Sequence, residues 1–190
     1  VDGVPIVGSM GNDGERNRTD RVGAWGGVIG VAALETDGRF ADYSNYGDGV
    51  SIAAVGEMTA RQASTNKVVT TAGTSNSAPL VAGVLALAWS GFDDDVMGDQ
   101  ILQALAATAS GSGGQWNERT GYGEVDPVAL LGSDPSRYPD ENPFEEKNGD
   151  SVVTPDDIDD YYDGVVDPRS ILNDETYVYR GLDEKAVSSG

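Results

Sequence analysis

Histidine and cysteine are both missing from this 190-residue chain. Without cysteine there are no disulfides and no thiolate metal sites. Without histidine there is no imidazole, the commonest general base near neutral pH. Lysine is scarce as well: Lys67, Lys147 and Lys185 are the only three. Twelve basic residues face 32 acidic ones, a net charge of −20. Nucleic acid is not expected as a partner, because phosphate binding draws on clustered Lys and Arg. An acidic, lysine-poor surface suits a high-salt or cell-wall setting; the preferred reading is the plainer one, a solvated surface that keeps a protein soluble. No run approaches the roughly 18 apolar residues of a membrane span. No signal peptide is visible. The chain opens without Met on the strand-like Val4-Pro5-Ile6-Val7. We therefore expect a portion of a longer precursor, whose front would be the place for an export signal.

What is present reads as one domain and a tail. Residues 4–8 form a short buried strand that ends in the Gly-rich loop Gly8-Ser9-Met10-Gly11-Asn12-Asp13-Gly14. Arg16, Arg18 and Arg21 follow in polar, loop-like sequence. Val28 to Leu34 is an apolar run of the length of a buried parallel strand, and Asp37-Gly38 marks the turn after it. Val50 to Val55 is a third strand. The β-branched Val68-Val69-Thr70-Thr71 is a strand that runs into a serine-containing turn. A helix is expected from Asp95 to Ala109, with Val96, Ile101, Leu102 and Leu105 on its apolar stripe. Asp93, Asp94 and Asp95 sit at its start, where negative charge is favoured. They are also possible Ca2+ ligands, but the further oxygens such a site needs are not evident. After the turn Gly121-Tyr122-Gly123 comes a short apolar segment, Val128 to Leu131.

Past residue 133 the composition shifts. Residues 134–190 hold 16 acidic and 5 basic residues among 57 positions, a net of −11. Such a stretch buries too little apolar surface to order itself alone. Within it, Gly164 to Leu172 weakly echoes Gly123 to Leu131, and two copies are too few for a repeat architecture.

The most informative stretch is Gly73-Thr74-Ser75-Asn76-Ser77-Ala78-Pro79-Leu80-Val81-Ala82-Gly83. It puts a serine on the first turn of a helix that continues Val84-Leu85-Ala86-Leu87-Ala88-Trp89. That helix is apolar on nearly every face, the pattern of one surrounded by protein. A hydroxyl there lies beside unpaired backbone N–H groups and the positive end of the helix dipole. Those are the groups that hold an oxyanion. A serine that merely caps a core helix is the plainer alternative.

This stretch resembles the serine motif of the subtilisin-like proteases, or subtilases. Ser75 falls on the nucleophile position. Two positions depart from the pattern: Asn76 stands where a hydrophobic residue is usual, and Leu80 where His is common. Ser9 to Gly14 is similar to the subtilase loop that carries the oxyanion-hole Asn, which places that role on Asn12. An amide NH2 can donate to a developing negative charge without itself carrying charge. The segments Val28–Ala33, Ala41-Asp42-Tyr43-Ser44-Asn45-Tyr46-Gly47 and Ser51–Gly56 follow the subtilase order too, with Val55 in place of the usual Pro. The resemblance covers roughly residues 4–131.

The resemblance implies an α/β fold, part of a subtilisin-like parallel sheet flanked by helices, over residues 1–133. An acidic, largely irregular tail would follow over 134–190. It implies a serine endopeptidase that acts on polypeptides. Ser9, Met10, Gly11, Gly30 and Thr74 would border the substrate. The Asp and His of the triad would come from an upstream part of the same domain, so the chain alone is expected to be inactive. No cofactor is implied, and structural Ca2+ is left unassigned. The expected location is extracellular or cell-surface, in a bacterium or archaeon. Two other readings remain: Lys67 as base in a Ser–Lys dyad, and a catalytically inactive subtilase-like binding domain whose acidic tail makes the contact.

Overall fold

A computed structural model describes residues 4–92, 96–111, 115–138 and 142–144. Its centre is a parallel sheet of three strands: β1 (Ile6–Ser9), β2 (Val28–Leu34) and β3 (Ile52–Val55). Val7 pairs with Ile29 and Ala32 with Ala53, so β2 lies in the middle. Every residue of β2 is buried. Its unbroken apolar sequence suits this, because a parallel strand covered on both faces has no solvent side to mark with polar residues.

Alternation along β2 divides the core in two. Ile29 and Val31, with Ile52 and Ala54 of β3, face the helices. Ala32 and Leu34 face the other way, onto Met10, Val50 and Ala53. The helical side is covered by α1 (Thr74–Gly91) through Val81, Leu85 and Ala88. Behind it stands α2 (Gly98–Thr108), which contributes Ile101, Leu102 and Leu105. Burial of each such side chain is worth about 1.5–3 kcal/mol. The start of α2 is closed by Gln100. Its Oε1 accepts the Met97 N–H at 2.9 Å and its Nε2 donates to the Tyr138 carbonyl at 3.0 Å. The helix begins at Gly98 and not at Asp95; Asp93 to Asp95 lie outside the described residues.

The expected strand at Val68 runs to Ala72 as β5, and it pairs antiparallel with β4 (Glu57–Arg61) to form an exposed hairpin. Sequence reading passed over β4 because Glu57, Thr59 and Arg61 offer no apolar face. The Gly121-Tyr122-Gly123 turn lies beside β3. Ala53 N–H donates to the Gly123 carbonyl at 2.8 Å, and Val125 N–H to the Ala53 carbonyl at 2.9 Å. It leads into α3 (Pro127–Leu131), capped by Asp126, whose Oδ1 accepts the Ala129 N–H at 2.9 Å. Past residue 133, a 3₁₀ turn at Pro135–Arg137 follows, and Phe144 is buried in the core near the Tyr122 ring. The Gly164–Leu172 echo lies outside the described residues. Among those residues, no helix is long and apolar enough to cross a membrane.

The helix α1 differs from expectation on one face. Thr74, Ser77, Val81, Leu85 and Ala88 are buried, but Leu80 is 40% and Leu87 56% exposed. β1 is the free edge of the parallel sheet, and its Ile6 is 59% exposed.

Candidate active site

The two glycine-bearing turns singled out in the sequence meet at the start of α1. Gly73 precedes the helix, and Ser75 is its second residue, exposed to solvent. A helix leaves its first N–H groups without intrahelical partners. Here the Thr74 N–H donates to Asn12 Oδ1 at 2.8 Å, and the Asn76 N–H returns to the Gly73 carbonyl at 2.9 Å. The Ser75 N–H has no hydrogen-bond partner among the described residues. Pro79 has no N–H, so it cannot bond the Ser75 carbonyl four residues back.

Asn12 reaches this helix start from the loop that ends β1. Its Oδ1 accepts twice from Thr74, from the N–H and from the hydroxyl at 3.0 Å. The Thr74 hydroxyl in turn accepts the Gly11 N–H at 3.1 Å. Thr74 is fully buried, while Asn12 is exposed, so these bonds lie at the boundary between core and surface. The acceptor end of the Asn12 carboxamide is therefore occupied, while its NH2 has no partner among the described residues. Gly73 keeps the approach open, since a Cβ there would lie 3.2 Å from Asn12 Nδ2. Two donors, Asn12 NH2 and Ser75 N–H, thus stand at one helix start beside the Ser75 hydroxyl. Such a pair suits an oxygen that gains negative charge.

The other residues named from sequence take different places. Ser9 ends β1 and is partly exposed; Gly11 is half-buried in the loop. The Met10 side chain is fully buried in the core, so only its backbone faces the loop. Gly30 is buried within β2, where a Cβ would collide with the Gly23 and Gly49 carbonyls. Its N–H is held by the Ser51 hydroxyl at 3.0 Å. Thr74 acts on Asn12 and Gly11 rather than on the outside. Lys67 sits at the far end of β5, five residues of strand from Gly73. Six steps of strand rise are about 20 Å, out of reach of Ser75.

Sequence reading missed two residues that build the site. Asn76 donates through Nδ2 to the Gly56 carbonyl at 2.9 Å and to the Thr71 carbonyl at 3.1 Å. Its polar side chain thus ties the helix start to β5 and to the end of β3, where a hydrophobic residue is usual. Asn45 is buried and bonds to the Asn12 loop; the Ala41–Gly47 segment contains it but does not mark its role, because its partners lie some 30 positions away. Outside the loop, ion pairs set the charge balance. The Arg18 guanidinium holds the Asp20 carboxyl down to about 2. Asp13 is also held below the usual carboxylate range, by a hydrogen bond from Asn45 and then by Arg21. Burial pushes the Tyr43 phenol up.

A model of the subtilase family matches residues 2–123. The chain is 35% identical over 108 residues to a thermostable alkaline protease of Halalkalibacterium halodurans, an overlap of 57% of this chain and 29% of that protein. It is 29% identical over 133 residues to the halolysin-like extracellular serine protease Nep of Natrialba magadii, an overlap of 70% and 24%. Its fold is similar to that of MycP1 from Mycobacterium smegmatis. The TM-score there is 0.60 at 28% identity, over 76% of this chain and 44% of that one. The chain thus spans under a third of the length of these two sequence relatives.

Proposed function

The chain belongs to the subtilase family, and on that premise we propose that it is the C-terminal part of a serine endopeptidase catalytic domain, with Ser75 as nucleophile and Asn12 as a donor of the oxyanion hole. One observation carries this reading. Thr74 takes both acceptor contacts of Asn12 Oδ1, which leaves the Asn12 NH2 free at the helix start that presents Ser75.

In this mechanism Ser75 Oγ attacks the carbonyl carbon of the scissile peptide and gives its proton to a histidine. The carbonyl oxygen becomes an oxyanion and accepts from the Asn12 NH2 and the Ser75 N–H. Collapse expels the amine, which takes the proton from the histidine, and leaves an acyl ester on Ser75. Water then attacks the ester by the same route and restores the hydroxyl. The chain has no histidine of its own. We place the histidine and its orienting Asp on an upstream part of the same domain. The exposed apolar residues Leu80 and Leu87 of α1, with the free edge of β1, offer that part a surface to cover. By itself the chain is then inactive. The substrate is a polypeptide, and the alkaline protease and extracellular protease among its relatives favour action outside the cell or at its surface.

Steady-state kinetics of the complete catalytic domain test this. Ser75→Ala should abolish turnover while folding survives. Asn12→Ala should lower kcat about 10²–10³-fold with little change in KM. That magnitude is known for the oxyanion-hole Asn of subtilisin, a member of this family, and is carried over from it. A raised KM with unchanged kcat would mean that Asn12 only positions substrate.

A further inference from the structure

We propose that Asn45 is a positioning residue for the oxyanion hole, holding Asn12 in place through the loop on both sides of it; this rests on the role given to Asn12 above. Asn45 lies in the turn between β2 and β3 and is fully buried. Its carboxamide can donate twice and accept twice, and all four bonds go to the Asn12 loop. Nδ2 donates to the Met10 carbonyl at 2.9 Å and to Asp13 Oδ2 at 3.1 Å. Oδ1 accepts the N–H groups of Asp13 and Glu15, each at 3.0 Å. The Asn45 N–H adds a fifth, to the Gly11 carbonyl at 3.0 Å.

These partners bracket Asn12: residues 10 and 11 before it, residues 13 and 15 after it. Gly11 makes the close seat possible. Its φ is +94°, and a Cβ would lie 2.6 Å from Asn45 Nδ2. Asn45 is fixed from behind by its neighbour. The Ser44 hydroxyl accepts the Ala33 N–H at 3.0 Å and donates to the Asn45 carbonyl at 3.1 Å. A continuous path thus runs from the central strand β2 through Ser44 and Asn45 to the loop. Thr74 grips the Asn12 side chain, and Asn45 grips the loop backbone on either side of Asn12. A turn that only needed to be capped would use one or two of these bonds. Saturation of a buried carboxamide by a single six-residue loop is what rigid placement of a donor requires, because small misplacement costs turnover steeply.

The test is a kinetic double-mutant cycle in the complete catalytic domain with a peptide substrate. Asn45→Ala should lower kcat about 10- to 100-fold with KM nearly unchanged. In an Asn12→Ala background the same change should cost nothing further, since it acts through Asn12. Asn45→Asp keeps the shape and the two acceptor bonds but loses both donors; it should show the same pattern, and it stands in if Asn45→Ala does not fold. Unchanged kcat in the Asn45 variants would overturn the proposal. So would a loss of equal size in the Asn12→Ala background, or a rise in KM alone. If Asn12→Ala itself leaves kcat intact, the oxyanion-hole reading fails instead.

Discussion

Asn12 and Thr74 are locked to one another by two hydrogen bonds, Thr74 N–H to Asn12 Oδ1 at 2.8 Å and Thr74 hydroxyl to the same oxygen at 3.0 Å. The pair fixes which end of the carboxamide faces outward. Thr74→Val keeps the buried shape but removes the hydroxyl, and leaves the Gly11 N–H without its acceptor. It should cost about 1 kcal/mol of stability, the net worth of a typical hydrogen bond, since the Gly11 N–H is only half-buried. Turnover in the complete domain should also fall, by less than with Asn12→Ala, because the Thr74 N–H still holds the amide. Thermal unfolding and kcat, measured on one variant, check both parts. A kcat equal to wild type would show that the hydroxyl does not orient Asn12.

Asn76 makes a prediction opposite to the family pattern. Asn76→Leu restores the usual hydrophobic residue but removes the bonds to Gly56 and Thr71. The loss should be about 1 kcal/mol, a fall in Tm of about 2–4 °C for a domain of this size. A Tm at or above wild type would mean that the tie between α1 and the hairpin adds nothing.

Acid stability follows from the carboxylates near the loop. Asp20, at about 2 beside Arg18, and Asp13, lowered by Asn45 and Arg21, both have folded values below the ordinary 3.8. Groups lowered in this way stabilise the fold above about pH 4, and the benefit is lost as pH falls through their folded values. Tm should therefore be flat above about pH 5 and fall between about 4 and 2. Arg18→Gln should flatten that fall in part, since Arg16–Glu118 and Arg39–Asp37 also contribute. An unchanged slope in Arg18→Gln would remove Asp20 from this explanation.

The extent of the acidic segment is open to proteolysis. Pro135 and Phe144 are buried, and Tyr138 bonds to Gln100, so packed residues are found past 133 at those points. Beyond Phe144 the sequence is dense in charge and poor in aliphatic residues. Limited digestion followed by mass spectrometry should find the first cuts after Phe144. First cuts between 134 and 144 would show that these contacts do not protect that stretch and would favour a boundary at residue 133.

Much of the candidate site's local geometry was legible because its parts are local. The Gly73–Gly83 turn and the Gly11–Gly14 loop each hold their candidate residues within a few positions, and β2 announces itself by an unbroken run without a polar side chain. Three features escaped for physical reasons. Asn45 lies in a segment whose order is visible, Ala41–Gly47, but its contacts are with partners some 30 positions away, which no window along the chain displays. Asn76 looked like a departure from the pattern until its acceptors, the carbonyls of Gly56 and Thr71, were placed around it. The helix α1 read as wholly enclosed because apolar composition does not say which faces this chain itself covers; Leu80 and Leu87 remain exposed.

The most direct test asks which atom reacts. A fluorophosphonate probe is applied to this chain alone and to the complete catalytic domain, where we place the histidine and aspartate upstream, and the adducts are located by mass spectrometry. A single adduct on Ser75 in the complete domain, and none in the chain alone, is the predicted result, because Ser75 needs an imidazole to take its proton. An adduct on another residue, or an unlabelled Ser75 in a folded complete domain, would contradict its role as nucleophile. Labelling of Ser75 in the chain alone would contradict the upstream base.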